Sequence, residues 1–137
     1  MKSLTFTIPL RPKPKGNTHR PTARGGIRND PATVKHQQAL AYMCRQYKQT
    51  PLWEGPVYLQ IACVFKIPST GKYKNKKPGQ WCIAGRPYGD RGNCMKMIED
   101  ALQGILSVDD CQTVDGRPQK KWGTEDCYEI TAWEIEE

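Results

Sequence analysis

Residues 86–115 read RPYGDRGNCMKMIEDALQGILSVDDCQTVD, and the rest of the chain is organised around this stretch. It opens with a Pro/Gly turn that presents Asp90, continues as an amphipathic helix, and ends on the acidic pair Asp109–Asp110. Several carboxylates and one lysine, Lys96, therefore bracket a single helix in an otherwise basic chain. A site that holds a divalent cation against a phosphate needs this combination, because Mg²⁺ prefers hard oxygen ligands and takes few of them from protein.

The helix of this stretch is predicted over about residues 93–106. Asn93, Lys96 and Asp100 share one face at i, i+3 and i+7. Lys96 and Asp100 could also be an ordinary ion pair at i, i+4 on the helix surface. The flanking Asp90 and Asp110 favour a functional site instead. The predicted apolar face consists of Cys94, Met97, Ile98, Ala101 and Ile105.

The same stretch resembles the RusA family of Holliday junction resolvases, small phage and prophage endonucleases. The family pattern runs roughly D-x-D-N, then a lysine three residues after the Asn, then D-A-L-x-G, then D-D-x-Q-V. The second Asp of D-x-D-N is Gly92 here, so a carboxylate that the family usually devotes to metal is missing. The residues in register with the pattern are Asp90, Asn93, Lys96, Asp100-Ala101-Leu102, Gly104, Asp109-Asp110 and Gln112.

The resemblance implies a Mg²⁺-dependent endonuclease that resolves four-way DNA junctions in recombination and repair and works as a homodimer. Mn²⁺ is expected to substitute for Mg²⁺. Two alternatives stay open: a junction- or duplex-binding protein that has lost cleavage because of Gly92, and a nuclease that acts on flaps or RNA. Composition and spacing alone lead only to a metal-dependent nuclease or a basic binding protein.

The resemblance also assigns roles to residues of the motif stretch. Asp90 and Asp110 would ligate the metal, and Lys96 would stabilise the charge that develops on the phosphate. These three are the candidate catalytic residues. Glu99 and Asp109 are further candidate ligands, because their carboxylates lie close by in the sequence and could replace the missing one.

Charge is distributed unevenly along the chain. Residues 1–89 carry 16 Lys/Arg and two acids, a net charge of +14, whereas residues 90–137 carry five Lys/Arg and 12 acids, a net charge of −7. This asymmetry predicts a polyanion-binding surface from the first part and an acidic, metal-binding or solvated surface from the second. A merely soluble basic protein would have the same net charge, so charge alone does not decide between them.

Two basic stretches, at about residues 10–29 and 66–86, are predicted to contact DNA phosphates. The first contains three prolines and three glycines and is predicted to lack regular structure; its alternative is a disordered basic loop. The second interleaves lysines with Tyr73 and Trp81, and its alternative is a solvated loop whose Trp81 packs on the core. The candidate DNA-binding residues are Arg11, Lys13, Lys15, Arg20, Arg24, Arg28, Lys72, Lys74, Lys76 and Lys77.

The chain is predicted to form one α+β domain over residues 1–137, in the order β-α-β-α-β-β, with a mixed sheet and two main helices. Gly123-Thr124-Glu125 is predicted as a hairpin turn between the last two strands. His36, on the first helix, is predicted to be a surface or half-buried residue rather than a ligand. The predicted strands span residues 3–9, 56–67, 111–122 and 126–135, and the first helix about 31–48.

The remaining composition favours a reduced cytoplasmic protein. Six widely spaced cysteines without a CxxC pair, and only two histidines, argue against a zinc site or a disulfide framework. The chain has no apolar run of about 18 residues, and its N-terminus, MKSLTFTIPL, is typical of a strand rather than a signal peptide. We therefore expect no membrane partner, and the resemblance adds a bacterial, phage or prophage origin.

Overall fold

The computed structural model describes residues 2–13, 19–21, 27–29, 31–85, 88–89 and 91–137. Within these ranges the side chains of residues 19–21, 27–29, 91 and 93 are not described. Candidate site residues outside the described part of the chain are Asp90, Lys15 and Arg24, together with the side chains of Arg20 and Arg28.

The described elements follow the predicted β-α-β-α-β-β order, with a short additional hairpin before the first helix. The strands are β1 (Ser3–Ile8), β2 (His19–Pro21), β3 (Ile27–Asn29), β4 (Val57–Lys66), β5 (Thr113–Gly123) and β6 (Cys127–Glu134). The helices are α1 (Pro31–Cys44) and α2 (Arg91–Leu102), with 3₁₀ turns at Arg45–Tyr47 and Asp110–Gln112. The α+β class with two main helices is confirmed, and none of the described helices is long and apolar enough to cross a bilayer.

The main sheet is mixed and has the strand order β1-β6-β4-β5. β6 runs antiparallel to β1 and β4, whereas β5 runs parallel to β4. A parallel pair needs a crossover connection, and α2 provides it between the end of β4 and the start of β5. Along the chain, α2 therefore comes after the end of β4 and before the start of β5.

The predicted hairpin between the last two strands is wrong, because β4 lies between β5 and β6. The connecting residues cross the end of β4 instead. There the Lys66 N–H donates to Asp126 Oδ1 (2.8 Å) and the Ile67 N–H donates to Gly123 O (3.0 Å). Turn residues indicate that the chain reverses direction, and a reversal can span an intervening strand as readily as join two neighbours.

The prediction that the first basic stretch lacks regular structure is wrong for β2 and β3. These short strands pair antiparallel, with His19 opposite Asn29 and Pro21 opposite Ile27. Proline and glycine disfavour helices and central strands, but a two-stranded ribbon with Pro21 at the end of its strand tolerates them.

α2 ends at Leu102, four residues before its predicted end. Gly104 adopts a φ of +77°, and the N–H groups of Ile105 and Leu106 both donate to Leu102 O, at 2.9 and 3.2 Å. A left-handed glycine is a common helix stop. Ile105 and Leu106 stay buried after the stop, which is why the apolar periodicity extended the predicted helix beyond its true end.

The core lies between the two helices and the main sheet, and Trp53, Trp122 and Tyr128 are its largest fully buried side chains. Gly116 on β5 lies close to both its partner strand β4 and helix α2. A Cβ atom there would lie 2.1 Å from Leu59 O and 3.3 Å from Met95 Cε, so only glycine fits.

Candidate active site

An acidic cluster forms where the end of α2 meets the turn that precedes β5. Burial raises the pKa of Glu99, and the negative charges of Asp100 and Asp110 raise it further. The ammonium of Lys96 acts on the same carboxyl in the opposite direction. Three carboxylates and one lysine from the motif stretch therefore lie close together within a single chain.

Asp109 and Asp110 have different environments. The Asp109 carboxylate accepts a hydrogen bond from the Cys111 N–H (3.1 Å). The Asp109 N–H donates to Gln112 Oε1 (2.9 Å), as part of a capping box between Asp109 and Gln112. The backbone bond from Cys111 lowers the pKa of Asp109, whereas a hydrogen bond with Asp109 raises the pKa of Asp110. The Asp109 carboxylate therefore caps the turn. To bind a metal as well, it would have to do so while accepting this hydrogen bond.

The turn that carries Asp110 is tied to the segment before β4. Gln112 Nε2 donates to Trp53 O (2.8 Å) and to Gly55 O (3.0 Å). The backbone N–H of the buried Trp53 donates in turn to Leu106 O (2.7 Å). The backbone of this turn is consequently held in place without help from the Asp110 carboxylate, which remains exposed.

Asp90 itself lies outside the described residues, but the segment that leads to it is anchored. Lys120 on β5 donates from Nζ to Ala84 O (2.7 Å) and to Gly89 O, the residue directly before Asp90. The sequence analysis did not single out Lys120. Its only sequence signal is a long cation within a predicted strand, and nothing in its local sequence names a contact 31 residues away.

Tyr88 anchors the same segment on the core. Its ring packs edge-on against Phe65 (4.9 Å) and Trp122 (5.3 Å). Its carbonyl oxygen accepts a hydrogen bond from Cys94 Sγ (3.4 Å), in the first half of α2. The guanidinium of Arg11 lies 5.5 Å from the Tyr88 ring, which places a residue of the first basic stretch beside this segment.

The second basic stretch reaches the same region through Tyr73. The Tyr73 ring contacts Trp122 at 5.3 Å, and the Lys72 ammonium lies 5.6 Å from the Tyr73 ring. The surrounding turn therefore presents its lysines close to the segment before Asp90. Of these lysines, Lys72, Lys74 and Lys77 are exposed and Lys76 is half-buried.

Trp81 does not pack on the core, so that alternative for the second basic stretch is wrong. Its side chain is 56% exposed, and the Lys121 ammonium lies 5.8 Å from its ring. Of the two aromatic residues in this stretch, Tyr73 is the one that packs inward.

The remaining candidate DNA-binding residues that the structure describes are Arg11 and Lys13. Arg11 is exposed and forms an ion pair with Asp126 (3.7 Å), and the Lys13 N–H donates to Tyr128 OH (3.0 Å). Lys13 is half-buried.

The family model for endodeoxyribonuclease RusA matches residues 9–131, nearly the whole chain. The chain belongs to the RusA family. Membership confirms the resemblance and implies Holliday junction resolvase activity, that is, an endodeoxyribonuclease that acts on branched DNA. The chain is also 29% identical over 145 residues to the uncharacterized protein YqaN of Bacillus subtilis (strain 168), an alignment that covers 98% of this chain and 99% of that protein.

RusA-family resolvases are typically dependent on a divalent metal, and the donors in the acidic cluster suit one. Carboxylate oxygens are hard ligands of the kind that Mg²⁺ and Mn²⁺ prefer. Burial is the main cause of the raised pKa of Glu99, and the negative charges of Asp100 and Asp110 add to it; a bound cation would favour the charged form of this carboxyl. Among the described residues, which do not include Asp90, no three His, Cys, Asp or Glu side chains are arranged to hold a metal ion.

Proposed function

We propose that this protein is a Mg²⁺-dependent endonuclease that resolves four-way DNA junctions, with Asp90, Lys96 and Asp110 as its catalytic residues. The observation that carries the proposal is the acidic cluster beside Lys96, which joins residues 14 positions apart in the sequence. Family membership supports the substrate, and the basic residues around Tyr88 and Tyr73 support a DNA surface next to the cluster.

Each catalytic residue has a distinct task. Asp90 and Asp110 would hold the metal, with Glu99 and Asp109 as further candidate ligands. When bound, Mg²⁺ (or Mn²⁺ in its place) polarises the scissile phosphate and lowers the pKa of an attacking water. The Lys96 ammonium stabilises negative charge on the phosphoryl oxygens in the transition state.

The spacing of the two aspartates along the chain supports a homodimer with shared sites. Asp90 directly precedes α2, whereas Asp110 lies close enough to Asp100 for their charges to interact. From Arg91 to Asp100 the helix rises about 14 Å, at about 1.5 Å per residue. A two-fold dimer would bring Asp110 of one subunit to Asp90 of the other.

Mixing Asp90→Asn subunits with Asp110→Asn subunits tests the shared site. In a shared-site dimer, each mixed dimer keeps one site with both aspartates, so single nicks should return to a junction that neither variant cuts alone. If both aspartates act within one subunit, every site keeps one defect and no nicking returns, which would reject the sharing.

Gly92 supports a second candidate, a junction- or duplex-binding protein that no longer cuts. It is exposed in the first turn of α2, at the position where the family carries its second aspartate. Loss of a carboxylate removes one ligand and one negative charge, and both losses weaken the binding of a divalent cation.

A labelled synthetic four-way junction, incubated with and without Mg²⁺ beside linear duplex of the same sequence, distinguishes the two candidates. The proposed resolvase cuts the junction in pairs of nicks only when Mg²⁺ is present and spares the duplex. A protein that binds the junction but leaves it intact, and that gains nicking on Gly92→Asp, is the second candidate. Equal cutting of junction and duplex, or binding to neither, would contradict both.

A further inference from the structure

A cavity of about 560 Å³ opens beside β5, outside the acidic cluster. Its volume falls within the range of about 300–1,000 Å³ typical of small-molecule sites. The residues of its wall that carry chemistry are Trp81, Arg117, Gln119 and Lys120.

The cavity lies where the pairing between β5 and the segment around Trp81 ends, at Pro118 and Lys120. On the C-terminal side of Pro118, the segment around Trp81 pairs with β5. The Cys82 N–H donates to Lys120 O and the Trp122 N–H donates to Gln80 O, each at 2.9 Å. Pro118, two residues before Lys120, faces the same edge but has no N–H to donate. The two segments therefore separate there, and the gap between them is the cavity.

Gln119 gives the cavity a polar group without a partner. Its side chain is only 8% exposed, and its Oε1 has no hydrogen-bond partner within the described part of the chain. Buried amide oxygens are rarely left unsatisfied, because losing water without gaining a protein partner is costly. The amide lies at the wall of a cavity, and its terminal torsion is broad, so it can turn to meet a ligand that donates a hydrogen.

Trp81 and Arg117 give the same cavity an aromatic and cationic lining, and Lys121 lies beside the Trp81 ring. The Trp81 ring is 56% exposed, with the Lys121 ammonium 5.8 Å from it, and Arg117 is exposed. Exposed aromatic rings flanked by cations are the surfaces on which proteins stack unpaired bases while holding the adjoining phosphates.

We propose that this cavity binds one unstacked nucleobase of the junction, which stacks on Trp81 and donates an exocyclic amino hydrogen to Gln119 Oε1. Adenine, cytosine and guanine carry such a group and thymine does not, so the cavity would make the protein selective for the base near its cut. This inference rests on the proposed action on junctions and adds to it a site of base selection.

Lys120 connects the cavity with the candidate active site. It forms part of the cavity wall, and its ammonium bonds Gly89 O, directly before Asp90. The bound base would thus lie about one lysine side chain away from the segment that carries a metal ligand. That spacing would set the position of the scissile phosphate relative to the selected base.

Changes of a single exocyclic group in the DNA test the proposal without any cleavage. Four-way junctions would carry cytosine→2-pyrimidinone, adenine→purine or guanine→hypoxanthine, each of which replaces only the amino group with hydrogen, at each position near the crossover. Binding would be measured without divalent metal. At one position the wild-type protein should lose about 5- to 10-fold in affinity, the value of one hydrogen bond. Gln119→Met should bind both members of that pair equally.

Matched controls separate this effect from damage to the fold. Gln38→Met makes the same change on the exposed part of α1 and should keep the wild-type discrimination. Because Gln119→Met removes an unsatisfied oxygen, its melting temperature should not fall. Trp81→Leu should weaken junction binding about tenfold, whereas Tyr42→Leu, at a residue that is 74% exposed on α1, should not.

Wild-type protein that is insensitive to amino-group removal at every position would overturn the proposal, as would Gln119→Met with undiminished discrimination. If junctions are still preferred over linear duplex in either case, the base site alone fails. Loss of that preference in the wild-type protein would instead contradict the proposed function.

Discussion

Lys120 is the residue at which positioning of the active site can be separated from the chemistry itself. Lys120→Met keeps the aliphatic stem but removes the bonds to Ala84 O and Gly89 O, so the segment before Asp90 loses its anchor. We expect junction cleavage to slow about 100-fold, since small misplacements of a catalytic group have effects of that size. Single-turnover nicking at saturating protein measures the rate.

Lys66→Met is the matched control for Lys120→Met, because it removes the same charge from an exposed residue at the end of β4. It should leave the cleavage rate unchanged and should alter junction affinity as much as Lys120→Met does. Lys120→Arg keeps the charge and the donors and should restore part of the rate. Equal rate losses in both methionine variants would reject a positioning role for Lys120.

His36 links the stability of the fold to pH. It is half-buried, as predicted, and its Nε2 lies 3.0 Å from Tyr128 OH. Burial lowers the pKa of His36, and the charge of Lys13 lowers it further. The unfolded chain therefore takes up this proton more readily than the folded one. Stability is complete above the unfolded pKa of about 6.5 and declines as the pH falls from there towards the folded value.

Urea unfolding midpoints should accordingly fall between about pH 7.5 and 5.5, on either side of the unfolded pKa. His36→Gln keeps a hydrogen-bonding group near Tyr128 but does not titrate, so its midpoint should fall less. His19→Gln makes the same change at the other histidine and should follow the wild-type protein. Parallel pH profiles for the wild-type protein and His36→Gln would contradict this assignment.

At the scale of the elements, the crossover from β4 through α2 to β5 depends on the close approach at Gly116. Gly116→Ala would place a methyl group 2.1 Å from Leu59 O, so the strands or the helix must move apart. We expect the free energy of unfolding to fall by about 3 kcal/mol, at the upper end of overpacking effects. Gly85→Ala, where a Cβ meets nothing within 4 Å, should change it little. Equal stability of the two variants in denaturant titrations would contradict the close packing described at Gly116.

The lysine-rich turn around Tyr73 should bind phosphates of the DNA. Replacing Lys72, Lys74 and Lys77 with Gln should flatten the plot of log affinity against log salt, by about 0.9 for each phosphate that the protein no longer neutralises. Lys35 is exposed on α1, and Lys48 is exposed just after the 3₁₀ turn that follows α1. Replacing these two lysines with Gln is the control and should leave the slope unchanged. Junction binding that is indifferent to salt in the wild-type protein would reject the phosphate-binding role of the turn.

At the scale of the whole molecule, the sequence predicted what lies within one contiguous stretch and missed what joins distant ones. Lys96 and Glu99 lie on one helix, and periodicity is enough to place them. Asp110 reaches them because the helix stops at Leu102, which periodicity did not indicate. Lys120 reaches Gly89 across 31 residues, and the insertion of β4 between the last two strands is likewise a long-range pairing. No local pattern encodes either of these, because turn residues and a strand lysine fit several topologies equally well.

The distribution of charge over the whole molecule is consistent with a protein that contacts DNA with its basic segments and binds metal with its acidic ones. The basic first part reaches the candidate active site through Arg11 and Lys72, whereas the acidic cluster comes from the second part. The carboxylate of Asp110 is proposed to serve a metal-dependent reaction on DNA rather than merely to add negative charge.

Nicking of a four-way junction at increasing Mg²⁺ concentration, by the wild-type protein, Asp110→Asn and Asp115→Asn, tests that claim most directly. Asp115 is an exposed carboxylate on β5 whose loss removes the same charge. The wild-type protein and Asp115→Asn should nick only when Mg²⁺ is present. Asp110→Asn should bind the junction at least as tightly but cut it at no Mg²⁺ concentration. Nicking by Asp110→Asn at the wild-type rate, or nicking by the wild-type protein without divalent metal, would contradict the metal-dependent role of Asp110.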